Sequence, residues 1–229
     1  MIDFHTHILP NMDDGSDSVN TSIELLNILK NEGVKLVCLT SHFYPKQESI
    51  DDFIARRNKA FSMLKYDDMK LKLGAEIHYY RGISTSEDIY KLCIENTNIL
   101  LIELSFSAPI NDNVIKELIN LKNRGFRVIL AHIERYNIDN GQLLNMHNNG
   151  ILFQCNSEVF DGFFSSRKYL KLLKNGLIDV IGSDTHNNTD RKPNYKKAMT
   201  VIENKLGASF LENFIKKTYN IIDKWWKNY

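Results

Sequence analysis

Short apolar runs of strand length recur along this chain at intervals of one strand-plus-helix unit, and most end in a histidine or a carboxylate. The runs centre near residues 4, 37, 73, 101, 129, 153 and 180, with spacings of 33, 36, 28, 28, 24 and 27 residues. That is the length of one strand, one helix and their connections. Val34 to Leu39 and Val128 to Ala131 are almost unbroken apolar runs. Parallel strands covered by helices have this character, whereas a sheet with one wet face alternates. Helical spacing fills the intervals. Val19, Ile23 and Leu26 start one such pattern, which Gly33 closes as a C-cap. Phe53 to Leu64, Ser86 to Glu95, Val114 to Leu121, Gln142 to Asn149 and Tyr169 to Leu173 supply the others.

The position of the polar residues selects the architecture. An open doubly wound sheet, the alternative, gathers its ligands at one switch point, but here they follow nearly every strand. The expected fold is therefore α/β, a distorted seven-stranded (β/α) barrel resembling a TIM barrel. One domain would span residues 1–229, with helices from about 195 to 229 packed on the barrel. The aromatic tail through Trp225 and Trp226 is expected to cover a barrel face or meet a partner.

Composition narrows the setting. The 29 basic and 28 acidic residues nearly cancel, so there is no electrostatic footprint for nucleic acid. No apolar stretch approaches the ~20 residues needed to span a bilayer. The opening Met1-Ile2-Asp3 carries no secretory pattern. Cys38, Cys93 and Cys155 lie far apart in or near apolar runs and read as reduced core residues. These features suggest a cytoplasmic protein. Oligomeric state is not legible.

Six of the strand ends carry metal-binding side chains. His5 and His7, two apart, share one face of the first strand. His42, Glu76, Glu103 and His132 follow the next runs, and Asp184 and His186 repeat the two-apart spacing on the last. The loop Pro10 to Gly15 returns Asp13 and Asp14 toward the same rim, where one of them could coordinate. Asp14, Glu76, Glu103 and Asp184 bring four negative charges. Three divalent ions would leave an excess of about two positive charges, suited to a phosphate dianion. Nitrogen and oxygen donors without thiolate favour manganese, iron or zinc over magnesium or a structural zinc site. A metal-bridging hydroxide would be the nucleophile, and Arg135 and Arg191 are placed to fork onto the phosphate. His42 or His186 could protonate a leaving group. A phenolate would need little such help, since phenol has a pKa of about 10. Asp3 and His78 are expected beside the ligands, and His147 at the surface or as a cap.

At these residues the chain resembles the polymerase and histidinol phosphatase (PHP) superfamily of metal-dependent phosphoesterases. More narrowly, it is similar to bacterial manganese-dependent protein tyrosine phosphatases of capsule and exopolysaccharide loci. The motifs are His5-Thr6-His7-Ile8-Leu9-Pro10 with Asp13-Asp14-Gly15, Ser41-His42-Phe43-Tyr44, Gly74-Ala75-Glu76-Ile77, Ile102-Glu103-Leu104, His132-Ile133-Glu134-Arg135-Tyr136 and Gly182-Ser183-Asp184-Thr185-His186. The resemblance implies a PHP-type barrel with three manganese ions, which iron, zinc, cobalt or magnesium could replace. It assigns one ion to His5, His7, Glu76 and Asp184, a second to Glu76, Glu103 and His132, and a third to Asp14, His42 and His186. It implies as substrate the phosphotyrosine tail of a bacterial tyrosine kinase regulating polysaccharide synthesis, met at the membrane face. One position departs: Ile133 stands where the motif usually has proline, which would hold Arg135 less stiffly. The alternatives are a small-molecule phosphomonoesterase of the histidinol phosphate kind, a non-catalytic regulatory barrel, and a nuclease, which the neutral charge disfavours.

Overall fold

The computed structural model describes residues 1–107 and 109–223, so Trp225 and Trp226 lie outside the described residues. Among the described residues nine strands are interspersed with helices: β1 Ile2–Thr6, β2 Leu36–Leu39, β3 His42–Phe43, β4 Lys70–Leu73, β5 Glu76–His78, β6 Ile99–Glu103, β7 Arg127–Leu130, β8 Leu152–Asn156 and β9 Val180–Gly182. Every pairing is parallel, as the apolar runs require. Two of the seven expected strands are each broken in the middle. β2 and β4 pair with each other beside β1, and their continuations β3 and β5 pair beside β6. The rest of the ladder runs β6-β7-β8-β9. An isolated Thr6–Thr185 bridge joins the last strand to the first. The result is a curled, incompletely laddered seven-position barrel.

Alternate residues of neighbouring strands make two apolar clusters. Phe4, Cys38, Leu101, Ile129 and Val180 pack inside the curl. Val37, Leu39, Leu100, Ile102, Val128 and Leu130 face outward and meet the helices. The three cysteines are buried and free. In β1 a register shift between Asp3 and Thr6 inserts an extra residue against β2. Such a bulge re-aims the side chains that follow it. Phe4 joins the inner core while the adjacent His5 reaches the rim.

The helices are α1 Val19–Asn31, α2 Ile50–Met63, α3 Asp112–Asn123, α4 Asn140–Asn148, α5 Phe163–Lys174, α6 Tyr195–Leu206 and α7 Ala208–Asp223. The Ser18 hydroxyl accepts from Thr21 N–H at 3.1 Å to start α1, and Gly33, at φ 89°, follows its end. Ser49 caps α2 through Asp52 N–H, so this helix begins before the expected Phe53. The interval Ser86–Glu95 is not the expected α-helix. It holds the 3₁₀ turn Glu87–Leu92, which follows another at Ile83–Thr85. The buried Ile83, Ile89 and Leu92 of the two turns are spaced at multiples of three, the 3₁₀ period. Among the described residues no helix is long and apolar enough to cross a membrane.

Gly182 shows how closely the seam is packed. A Cβ there would lie 2.5 Å from His5 Cβ and 2.9 Å from Gln154 Nε2. Gly182→Ala is expected to destabilise the protein by about 1–3 kcal/mol through overpacking. Urea denaturation checks this, and an unchanged midpoint would contradict the seam geometry.

Candidate metal centre

All nine residues expected as ligands meet at the C-terminal rim of the barrel. They form four overlapping groups whose donor atoms lie within 4.8 Å of one another: His7-Asp14-His42-His186, His5-His7-Asp184, His5-Glu76-His132 and His42-Glu76-Glu103. Membership overlaps more than the resemblance implies, since His7 also joins the Asp14 group and His42 approaches both glutamates. The clustering makes this a metal-binding site able to hold two or three ions. Its backbone is held in an unusual shape. His132 and Asp184 adopt positive φ, 31° and 54°, a conformation that surrounding contacts must impose on non-glycine residues.

The outer nitrogens of three histidines are tied to the protein, which turns their Nε2 atoms inward. His7 Nδ1–H donates to Asp13 Oδ2 at 2.8 Å. His5 Nδ1–H donates to Gln154 Oε1 at 3.2 Å, and His186 Nδ1–H to the Asp184 carbonyl at 2.8 Å. Such hydrogen bonds fix the tautomer and orientation of metal-binding imidazoles. Asp13 therefore orients, also accepting from His42 N–H at 2.8 Å, while Asp14 faces the cluster. Asp3 stays buried and accepts from the backbone N–H groups of His5 and Ser183, tying the two ligand strands together.

Only some of the inward atoms satisfy one another: His132 Nε2 lies 2.8 Å from Glu76 Oε1 and His5 Nε2 lies 3.0 Å from His7 Nε2. Glu76 Oε2 lies 3.1 Å from Nε2 of both His5 and His7 and 3.0 Å from His42 Nδ1. Yet Glu76 Oε2, His42 Nδ1 and His186 Nε2 are buried without a hydrogen-bond partner. Donors ~2.0–2.2 Å from one shared ion would sit roughly 3.0–3.5 Å apart. The observed separations fit lone pairs aimed at common ions.

Without ions the acids and imidazoles must share protons. Burial opposes protonation of His132, but the adjoining Glu103 and Glu76 outweigh it and push this group up to about 9. Burial likewise opposes a charge on His7, and Asp13 and Glu76 hold it well above its ordinary range. Burial would raise the Glu76 carboxyl, but surrounding imidazoles hold it well below its usual range. The His186 hydrogen bond helps bring Asp14 down to about 2.

Arg135 and Arg191 stand side by side on the rim. Each donates through NH2 to Asp184 Oδ2, at 2.6 and 2.8 Å, and Arg191 NH1 reaches Asp14 Oδ2 at 3.4 Å. They line a cleft of about 170 Å³ with Asn156, Ser183 and Asn194. Ile133 is buried in a 3₁₀ turn, Ile133–Arg135, and the Arg135 guanidinium is bonded to Asp184. His78 takes the expected place beside the ligands, with Nδ1 3.2 Å from Glu103 Oε2. His147 is neither a surface group nor a cap alone; it is half-buried and lies 3.4 Å from the buried Asp179.

Two residues that the sequence did not mark complete the frame. Gln154 Oε1 accepts from His132 N–H at 2.7 Å as well as from His5, and its Nε2 donates to Asn156 Oδ1 at 2.8 Å. Asn156 Nδ2 donates to Asp184 Oδ2 at 3.0 Å. The available signal was two polar residues, two apart, on the otherwise apolar β8. Gln154→Ala is expected to weaken metal binding roughly 10–100-fold while leaving the fold intact. Calorimetric titration with manganese checks this. An unchanged affinity would show that Gln154 is packing alone.

Metal uptake must also expel protons. His132, held protonated at neutral pH by its carboxylate neighbours, binds an ion only as the neutral imidazole. Manganese affinity of the stripped protein should therefore rise from pH 6 toward about 9. The same raised value stabilises the stripped fold below about 6.5, and that contribution is lost as pH passes about 9. Heats of titration in buffers of different ionisation enthalpy measure the protons released. Zero release at pH 7 would contradict the assignment.

Comparison with known proteins places this geometry. The family model described as capsular polysaccharide synthesis, CpsB/CapC, matches residues 1–223. The tyrosine-protein phosphatase CpsB of Streptococcus pneumoniae is 31% identical over 231 residues, covering 91% of this chain and 92% of that protein. The tyrosine-protein phosphatase YwqE of Bacillus subtilis is 28% identical over 225 residues, covering 91% and 86%. A crystal structure from work on YwqE and CpsB, described there as metal-dependent tyrosine phosphatases, superposes with a TM-score of 0.82 at 23% identity, covering 97% of this chain and 95% of that one. The match in sequence along the described chain and the match in fold agree: this chain belongs to the CpsB/CapC family of capsular polysaccharide synthesis.

Proposed function

We propose that this chain is a metal-dependent protein tyrosine phosphatase acting in the cytoplasm on the phosphotyrosine-rich tail of a capsule-regulating tyrosine kinase. The observation that carries the reading is the pair of guanidiniums converging on Asp184 Oδ2 at the edge of the nine-residue cluster. Two parallel cations at the lip of a metal centre suit an oxyanion with several equivalent oxygens. In this reading the cluster holds about three manganese ions, with His5, His7, Asp14, His42, Glu76, Glu103, His132, Asp184 and His186 as ligands. Ions held there would supply Lewis acidity and lower the pKa of a water.

The chain's own groups do the remaining work. Arg135 and Arg191 bind and orient the phosphate and meet the charge that grows on its oxygens in the transition state. Asp13, Gln154 and the Asp184 carbonyl keep three imidazoles in the tautomer that exposes Nε2. A tyrosine leaving group departs as a phenolate, whose conjugate acid has a pKa of about 10, so no dedicated general acid is required. Support for a peptide rather than a small phosphoester comes from a second cleft of about 580 Å³ lined by Tyr79, Arg81, Leu104, Ser105, Ile110 and Lys116. It begins one residue beyond Glu103, and its lining includes the cationic Arg81 and Lys116 and the anionic Glu117. That position suits the residues flanking a phosphotyrosine.

The test compares phosphotyrosine peptides, phosphoserine peptides and histidinol phosphate as substrates of the metal-stripped protein, with and without manganese. Manganese-dependent turnover of phosphotyrosine peptides far above the others is expected. Preference for histidinol phosphate would overturn the substrate assignment. Arg135→Ala should lower kcat/KM roughly 100-fold through lost transition-state binding. Metal content should hold, because Arg191 and Asn156 still bond Asp184 Oδ2. Metal loss in that variant would remove Arg135 from the phosphate-binding role.

A further inference from the structure

Phe106 is an exposed aromatic residue set against the metal centre. The residue is 54% exposed, the most of four exposed large apolar residues among those described. A lone exposed apolar residue needs no explanation, but this one is placed. Its centroid lies 5.4 Å from the His132 ring and 5.8 Å from the buried Tyr136 ring, with an interplanar angle of 26° to the latter. The Arg135 guanidinium stands 5.9 Å from the same centroid, while its NH2 reaches Asp184. The phenyl ring thus packs against the Tyr136 and His132 rings and lies under the Arg135 guanidinium, with about half of the residue still exposed.

A second aromatic group stands at the same mouth. Tyr44 stacks on His42, with centroids 5.0 Å apart at 29°, and lies 5.5 Å from His78. His42 approaches one oxygen of Glu103, at 3.8 Å, and His132 the other, at 3.4 Å. Tyr44 and Phe106 therefore pack against two histidines that flank one carboxylate, Glu103.

We infer that Phe106 and Tyr44 are specificity-determining walls that grip the aromatic ring of the leaving group, so the site selects aryl over alkyl phosphoesters. The inference rests on the phosphatase reading above and names the residues that set its substrate class. Ring-on-ring contact is geometrically specific, and burying a substrate ring against Phe106 removes apolar surface of both from water. An aliphatic phosphoester of serine or a polyol offers neither. The arginines hold the phosphate of either class equally well, so a preference in binding, as distinct from the easier departure of a phenolate, is assigned to the ring.

Binding of non-hydrolysable probes separates this from catalysis. Phenylphosphonate and ethylphosphonate are titrated calorimetrically into the manganese-loaded protein. Phenylphosphonate is expected to bind about tenfold more tightly, the scale of one aromatic pair. That ratio should fall to near one in Phe106→Ala, drop partway in Tyr44→Ala, and persist in Tyr44→Phe, which keeps the ring. Equal affinity of the two phosphonates for the native protein, or a ratio unchanged by Phe106→Ala, overturns the inference and leaves the phosphate site standing. Failure of the native protein to bind either one overturns both this inference and the phosphatase reading on which it rests.

Discussion

Everything at the rim of this barrel depends on one crowded carboxylate. Glu76 Oε2 sits within 3.1 Å of nitrogens from His5, His7 and His42, and Oε1 lies 2.8 Å from His132. Bringing so many lone pairs into a dry pocket is costly unless positive charge lies among them. Protons can supply that charge only by raising His132 and His7 and lowering Glu76 far from their ordinary ranges. Divalent ions supply it more directly. The rest of the structure then reads as a frame that keeps these atoms together. The β1 bulge turns His5 inward, Gly182 lets His5 approach β9, and Asp3 ties β1 to β9 through two backbone N–H groups.

The frame also explains why the barrel is distorted. A regular ladder would carry β2 and β4 straight through to β3 and β5. Here the pairing partners change at Thr40-Ser41 and Gly74-Ala75, immediately before His42 and Glu76. The closing seam is a single bridge at Thr185, between Asp184 and His186. Irregular backbone and the positive φ of His132 and Asp184 thus occur where ligands must be aimed, as expected when local strain is maintained by function-bearing contacts.

Much of this was legible in the sequence because metal ligands at strand ends obey a simple period. His5 with His7, and Asp184 with His186, show it most plainly, and the apolar runs before them set the strand count. What was not legible depends on packing between distant segments. Gln154 and Asn156 look like ordinary polar strand residues until β8 is placed beside His5 and Asp184. The break in β2 and the extra residue in β1 leave no mark in the period of apolar residues. Ser86–Glu95 read as α-helix because an apolar residue every three positions resembles one side of a helix over so short a span. Asp13 and Asp14, adjacent and chemically identical, were told apart in the sequence by the resemblance alone; the loop shows Asp13 meeting His7 Nδ1 and Asp14 facing the cluster. Phe106 follows the motif around Glu103 without belonging to it, so nothing in the chain alone set it apart.

The central claim is that nine side chains exist to hold a multinuclear centre. It is tested most directly by counting metal in the protein purified without chelator, by elemental mass spectrometry against a quantitative protein concentration. The account predicts about three divalent ions per chain, falling together with Glu76→Ala because that carboxylate stands in two of the four groups. A native protein that binds no ion with saturating manganese supplied, or a Glu76→Ala variant that keeps the full complement, would contradict it.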